Sequence, residues 1–169
     1  MAKVFLIYES ETGNTKAMAE AVMEGIQQEG VTVQIKKVED ATVDDLLEPD
    51  GIVIGCPTYF AAVPSKIKKF IDESIKHWGK LEGKVGAAFA SCGDLGGGAE
   101  TTILDILRAF LVHGMIIQGN LSGGHYGPIS VGPPTEERRE ICVAFGRRFA
   151  RLVNRLVQNP TKDNRKGGD

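Results

Sequence analysis

The sequence predicts an α/β fold, a doubly wound five-stranded parallel sheet with strand order 2-1-3-4-5. Three observations lead there. Short apolar runs alternate with amphipathic stretches along the whole chain, the pattern of strands joined by helical crossovers. Val31, Val33 and Ile35 alternate with Thr32, Gln34 and Lys36, so this strand has one wet face, as an edge strand does. Polar, glycine-bearing turns follow the first, third and fourth apolar runs, the strand ends around the switch point where such sheets bind ligands.

Taken in order, Val4-Phe5-Leu6-Ile7-Tyr8 is the first strand, and Ser10 to Thr15 form the turn that follows it. Ala17, Met18, Ala21, Val22 and Ile26 recur at helical spacing opposite Lys16, Glu20 and Glu24, a surface helix ending near Gly30. After the edge strand, Ile52-Val53-Ile54 between Gly51 and Gly55 is an unbroken apolar run, hence a strand covered on both faces. Pro57 to Val63 is a loop, and Pro64 suits the first turn of a second helix with the stripe Ile67, Phe70, Ile71 and Ile75. Trp78 lies just past its end. Val85 to Ala90 is another covered strand and leads into the loop Ser91 to Gly98. A third helix carries Ile103, Ile106, Leu107, Phe110 and Leu111 and ends at His113-Gly114, before Met115, Ile116 and Ile117 begin the last strand. Gln118 to Pro134 is rich in Gly and Pro and has no period; connections of that length tend to be functional. Thr135 caps a final helix with Glu136 and Glu137 in its first turn and Ile141, Phe145, Phe149, Leu152 and Leu156 on one face. One domain is expected over residues 1–158, followed by a polar tail from Asn159 to Asp169 that is expected to be disordered.

Composition narrows the function classes. With 169 residues and 42% hydrophobic content the chain has material for one well-buried core. The net charge is -2 and like charges are not clustered, so neither nucleic acid nor an anionic membrane surface is an implied partner. The sequence shows no long apolar run and no charged-then-apolar leader, and a soluble, cytoplasmic protein is expected. Cys56, Cys92 and Cys142 are odd in number, far apart and without CxxC spacing, which argues against a disulfide framework and a structural zinc. Cys92 is either an exposed thiol or a small loop residue; the absence of neighbouring cations favours the second.

The turn Ser10-Glu11-Thr12-Gly13-Asn14-Thr15 gathers three hydroxyls, a glycine able to take positive φ and the free amides of a helix start, a combination that attracts phosphate. Read alone, it is equally an ordinary helix cap at Asn14 or Thr15. Other phosphate chemistries lack their residues: there is no GxxxxGK loop, no GxGxxG, no Cys nucleophile with an Arg clamp, and Cys56 stands where a phosphoacceptor carboxylate would end the third strand. What remains is passive binding of a cofactor phosphate. Tyr59 and Phe60 offer aromatic walls, and the glycines after Ser91 allow backbone amides to approach a flat ring. FMN has that combination of phosphate and flat polar-edged ring.

These residues resemble a known family. Ser-x-Thr-Gly-Asn-Thr at Ser10 to Thr15 is similar to the loop of flavodoxins, and the resemblance runs through most of Met1 to Leu156 to the flavodoxin-like NAD(P)H:quinone oxidoreductases originally named for the tryptophan repressor. It rests on Met1-Ala2-Lys3-Val4 with Ser10 and Gly13, Pro57-Thr58-x-Phe60, Phe70-Ile71-Asp72 with Trp78, Gly96-Gly97-Gly98-x-Glu100, His113-Gly114-Met115, and Gly123-Gly124 before Tyr126-Gly127.

The resemblance implies FMN held by Ser10, Glu11, Thr12, Gly13, Asn14 and Thr15, by Pro57, Thr58, Tyr59, Phe60 and Ala61, and by Ser91, Cys92, Gly93, Asp94, Gly96 and Gly97. It further implies two-electron transfer from NADH or NADPH to a quinone, with Trp78, His113, His125 and Tyr126 on the substrate side, and a homo-oligomer, dimer or tetramer, with sites near subunit contacts. No protein nucleophile or obligatory acid is implied. His113 is alternatively a helix-end contact, His125 a loop residue and Trp78 a surface anchor. The chain lacks an insertion that longer members carry between the second and third strands, and its Gln118 to Pro134 connection is shorter. Glu11 puts a carboxylate in the phosphate loop and is expected to point to solvent, with Lys16 offsetting its charge. A flavodoxin-type one-electron carrier is the rival reading, disfavoured because -2 overall supplies no strongly acidic docking face. A scaffold for protein contacts is a third.

Overall fold

The computed structural model describes residues 1–158, so the expected disorder of Asn159 to Asp169 lies outside the described residues. The apolar runs become β1 (Lys3–Tyr8), β2 (Thr32–Lys37), β3 (Gly51–Pro57), β4 (Val85–Cys92) and β5 (Ile116–Ile117), parallel and in the order β2-β1-β3-β4-β5. That is the predicted order. β4 is buried throughout and β3 up to Pro57, as unbroken apolar runs require, whereas β2 is wet along one edge of the sheet.

Because side chains alternate across a strand, each central strand feeds two cores. Leu6, Val53 and Phe89 face the helices α1 (Asn14–Gln28) and α4 (Glu136–Gln158), while Ile7, Ile54 and Ala88 face α2 (Ser65–Glu73) and α3 (Ala99–Val112). The α1/α4 contact depends on two glycines. A Cβ at Gly25 would stand 2.0 Å from the Val143 carbonyl oxygen, and one at Gly146 would stand 2.2 Å from that of Val22. Two helix backbones therefore touch where each lacks a side chain.

The structure corrects several boundaries. Pro64 is the extended N-cap of α2 and not part of its first turn. That helix stops at Glu73 and tightens into a 3-10 turn, Ser74–His77, which swings Ile75 out of the apolar stripe into solvent. Leu111 is likewise exposed, because α3 has by then run past the sheet. Pro57, Ser91 and Cys92 belong to strands and not to loops: Pro57 pairs with Ser91, extending both central strands beyond their apolar runs. Within Gln118 to Pro134 lies a sixth strand, β6 (Ile129–Val131), too short for any periodicity to show. It pairs with Ala90 to Cys92, while β5 pairs with Val85 and Gly86, so two short segments share one flank of β4. All three cysteines are free and buried; burial raises the Cys142 thiol to about 12 and pushes Cys92 up as well, so Cys92 is a quiet packing residue.

Gly25→Ala or Gly146→Ala is expected to destabilise the fold by ~1–3 kcal/mol through overpacking, against the ~1 kcal/mol gain of the same change in an exposed helix. Denaturant unfolding of both variants checks the sign.

Candidate functional site

The carboxyl edge of the sheet is organised around Ser91. Its hydroxyl lies 2.8 Å from that of Thr15, and its carbonyl accepts the Thr58 amide at 2.7 Å. Thr15 and Ser91 are both buried. One residue thus ties the turn after β1 and the loop after β3 to the end of β4. A second tie runs from the Thr101 hydroxyl to the Ala61 carbonyl at 2.7 Å, joining the start of α3 to the same loop.

Two of the helices that open on this edge, α1 and α3, start at a left-handed glycine, Gly13 at φ 92° and Gly98 at φ 91°, and neither glycine makes a side-chain hydrogen bond. First-turn amides and the positive end of the macrodipole lie at each of these starts. Gly13, and neither Asn14 nor Thr15, is the N-cap of α1; the Ser10 Oγ accepts the first-turn Lys16 amide at 3.2 Å and curls the turn back over α1. A Cβ at Gly98 would lie 2.4 Å from that of Ala61, so the third loop and the aromatic loop pack without space for a side chain.

Between them Tyr59 and Ala62 exchange both backbone hydrogen bonds, at 3.2 and 3.1 Å, around Phe60 at φ 51° and Ala61 at φ 60°. This is a two-residue turn of the kind that favours Asn-Gly, built here from residues that resist positive φ. Its effect is to hold the Phe60 ring wholly in solvent beside a half-exposed Tyr59. Leu95 stands out equally on the third loop, within Gly93, Asp94, Gly96 and Gly97; Leu95 takes its amide to the Asp94 carboxylate at 2.7 Å. The Thr58 hydroxyl is buried with no hydrogen-bond partner among the described residues, and so is one oxygen of Glu9. Burial pushes the Glu9 carboxyl above its ordinary range, against a lowering by Lys66.

Glu11 turns away from the helix start, and its partner is not Lys16. Lys66 at the start of α2 holds it at 3.0 Å, while Lys16 pairs with Glu20 at 3.7 Å. Glu9 and Lys66 escaped the sequence reading because nothing in local spacing marks them; a carboxylate directly after an apolar strand was the available signal for Glu9.

Two of the remaining candidates lie elsewhere. Trp78 and His113 sit at the opposite edge of the sheet, where α2 and α3 end, with ring centroids 6.0 Å apart. The Ser74 hydroxyl donates to the Ile71 carbonyl at 2.6 Å and therefore accepts from His113 Nε2 at 2.8 Å. This leaves Nδ1 as the bare nitrogen, buried and without a partner among the described residues. His125 closes its own loop: Nδ1 donates to the Asn120 carbonyl at 2.9 Å, and the Asn120 amide returns to His125 at 2.9 Å. Tyr126 is half-exposed beside it, just before Gly127 crosses Ala88.

A parallel sheet with glycine-started helices and gathered loops at its switch point defines a doubly wound, ligand-binding class of α/β protein. The sequence profile of flavodoxins matches residues 6–107, and the chain belongs to the flavodoxin family. It is 41% identical over 162 residues to a flavodoxin of Aquifex aeolicus, covering 90% of this chain and 88% of that one. An NAD(P)H dehydrogenase (quinone) of Archaeoglobus fulgidus is 33% identical over 190 residues, covering 92% of this chain and all of the relative. Among solved structures, a WrbA-like flavodoxin from Agrobacterium tumefaciens superposes with a TM-score of 0.77 at 26% identity over 92% of this chain and 99% of that one.

Burial lowers the His113 pKa below 6.5, so the unfolded chain binds more protons just below that value and stability present above it is lost as pH falls. His113→Asn is expected to flatten the decline in melting temperature between about pH 7 and 5. Equal declines in both proteins would count against this.

Proposed function

We propose that the chain is an FMN-dependent oxidoreductase that transfers two electrons from NADH or NADPH to a quinone or similar acceptor. The observation that carries the reading is the pair of glycine-started helices, α1 tied in by Ser91 and α3 by the Thr101 contact to Ala61, beside a Thr58 hydroxyl without a partner among the described residues. Amides there suit a phosphate, Thr58 has an unused hydrogen-bonding group, and Gly93 and Gly96, with open space where a Cβ would stand, leave backbone to meet a flat ring.

In this reading Ser10 to Thr15 hold the phosphate, while Pro57 to Ala61 and Ser91 to Gly97 hold the ring. FMN supplies the redox chemistry. The chain's own residues bind and orient: the amides at Gly13 to Thr15 neutralise anionic charge, and Phe60 and Tyr59 offer apolar faces to the ring and to an incoming flat substrate. No cysteine serves as a nucleophile, since all three are buried with raised pKa values.

Trp78, His113, His125 and Tyr126 are proposed on the substrate side of an assembled homo-oligomer, dimer or tetramer. Supporting this, Ile75, Trp78, Leu111 and Val112 are exposed near the edge of the sheet opposite the loops. The protein is proposed to act in the cytoplasm, and no helix among the described residues is long and apolar enough to cross a membrane. A one-electron carrier is the second reading, favoured by the identity to the Aquifex flavodoxin.

Purified protein is expected to show a flavin spectrum, to bleach with NADH or NADPH without air, and to recover on adding benzoquinone. A flavin that neither nucleotide reduces would favour the carrier, and a protein that stays colourless with added FMN would overturn both.

A further inference from the structure

Lys66 is placed at odds with its own helix. It occupies the first turn of α2, where the macrodipole disfavours a cation, and its neighbours Lys68 and Lys69 pair along the helix with Asp72 and Glu73. Lys66 reaches across instead. Its ammonium donates to Glu11 at 3.0 Å and to Glu39 at 2.6 Å, and Glu9 lies close enough for its charge to be felt. It therefore joins the turn after β1, the 3-10 turn Val38–Asp40 after β2, and the start of α2.

Exposed ion pairs contribute little to stability, and these side chains are 44% to 59% exposed. Their consequence is electrostatic. Glu11 lies two residues before Gly13, and a carboxylate swung over that helix start would oppose a dianion and compete for the same amides. Lys16, the cation nearest to this turn in sequence, is turned toward Glu20.

We propose that Lys66 is a positioning residue for the cofactor phosphate, holding the Glu11 carboxylate away from the start of α1 so that the turn Ser10 to Thr15 accepts a dianion. The proposal rests on the FMN reading and names the residue that makes an acidic loop compatible with it. Lys66 acts through Glu11, so its effect requires Glu11 to be charged and requires the ligand to carry the phosphate.

The test is a double-mutant cycle on the full-length apoprotein, titrated with FMN and with riboflavin by quenching of flavin fluorescence. Lys66→Met is expected to weaken FMN binding on the order of tenfold and to leave riboflavin unchanged, and Lys66→Gln is expected to do the same. In a Glu11→Gln background the Lys66→Met change is expected to have no effect. A loss equal for FMN and riboflavin, no loss, or a loss that persists with Glu11→Gln overturns the proposal while leaving the FMN reading intact. Wild-type protein that binds neither flavin overturns that reading and the proposal together. The melting temperature of each variant identifies loss of folding, which the exposure of Lys66 argues against.

Discussion

The buried hydrogen bonds of Ser91 decide the shape of the site. Thr15 belongs to the first turn of α1, and Thr58 is the first residue beyond β3, yet both meet one residue at the end of β4. In a buried setting a lost hydroxyl partner leaves the other group unsatisfied, so these contacts constrain each other. They hold a helix N-terminus and an aromatic turn in fixed relation on two sides of the central strand pair.

The approach of α1 to α4 sets where that helix can sit. Gly25 and Gly146 let the two backbones meet, and the face of α1 that packs on the sheet carries Met18, Val22 and Ile26, all fully buried. The helix is thereby seated from both directions, and Gly13 at its start points its amides at the site. The strained turn at Phe60 and Ala61 is the opposite device: unfavourable backbone geometry, held by paired hydrogen bonds and the Thr101 contact, presents a ring to solvent.

Parallel topology explains why the candidates divide into two groups. Every helix runs back antiparallel to the strands, so its start lies at the ligand edge and its end at the other. Gly13, Gly98 and Lys66 stand at helix starts; Trp78 and His113 stand at helix ends. Within one chain the second group cannot reach the first, and His113 is further committed to Ser74. Trp78, Leu111 and Val112 are exposed at that edge.

The order of strands, the wet edge at β2 and the convergence of three loops were legible in the amino-acid sequence, because apolar periodicity and turn chemistry are local. So was the turn at Ser10 to Thr15, whose glycine and hydroxyls mark a helix start. Tertiary structure alone decided the rest. β6 is three residues long and exists because the upper half of β4 offers an open edge. Ile75 looked like core at helical spacing and became surface when α2 tightened into a 3-10 turn. Glu11 found Lys66, 55 residues away, instead of Lys16 at the end of its own turn. Sequence determined which elements form and which end of the sheet carries the loops; only folding determined which charges meet, because an ion pair depends on distance in space and leaves no period in the chain.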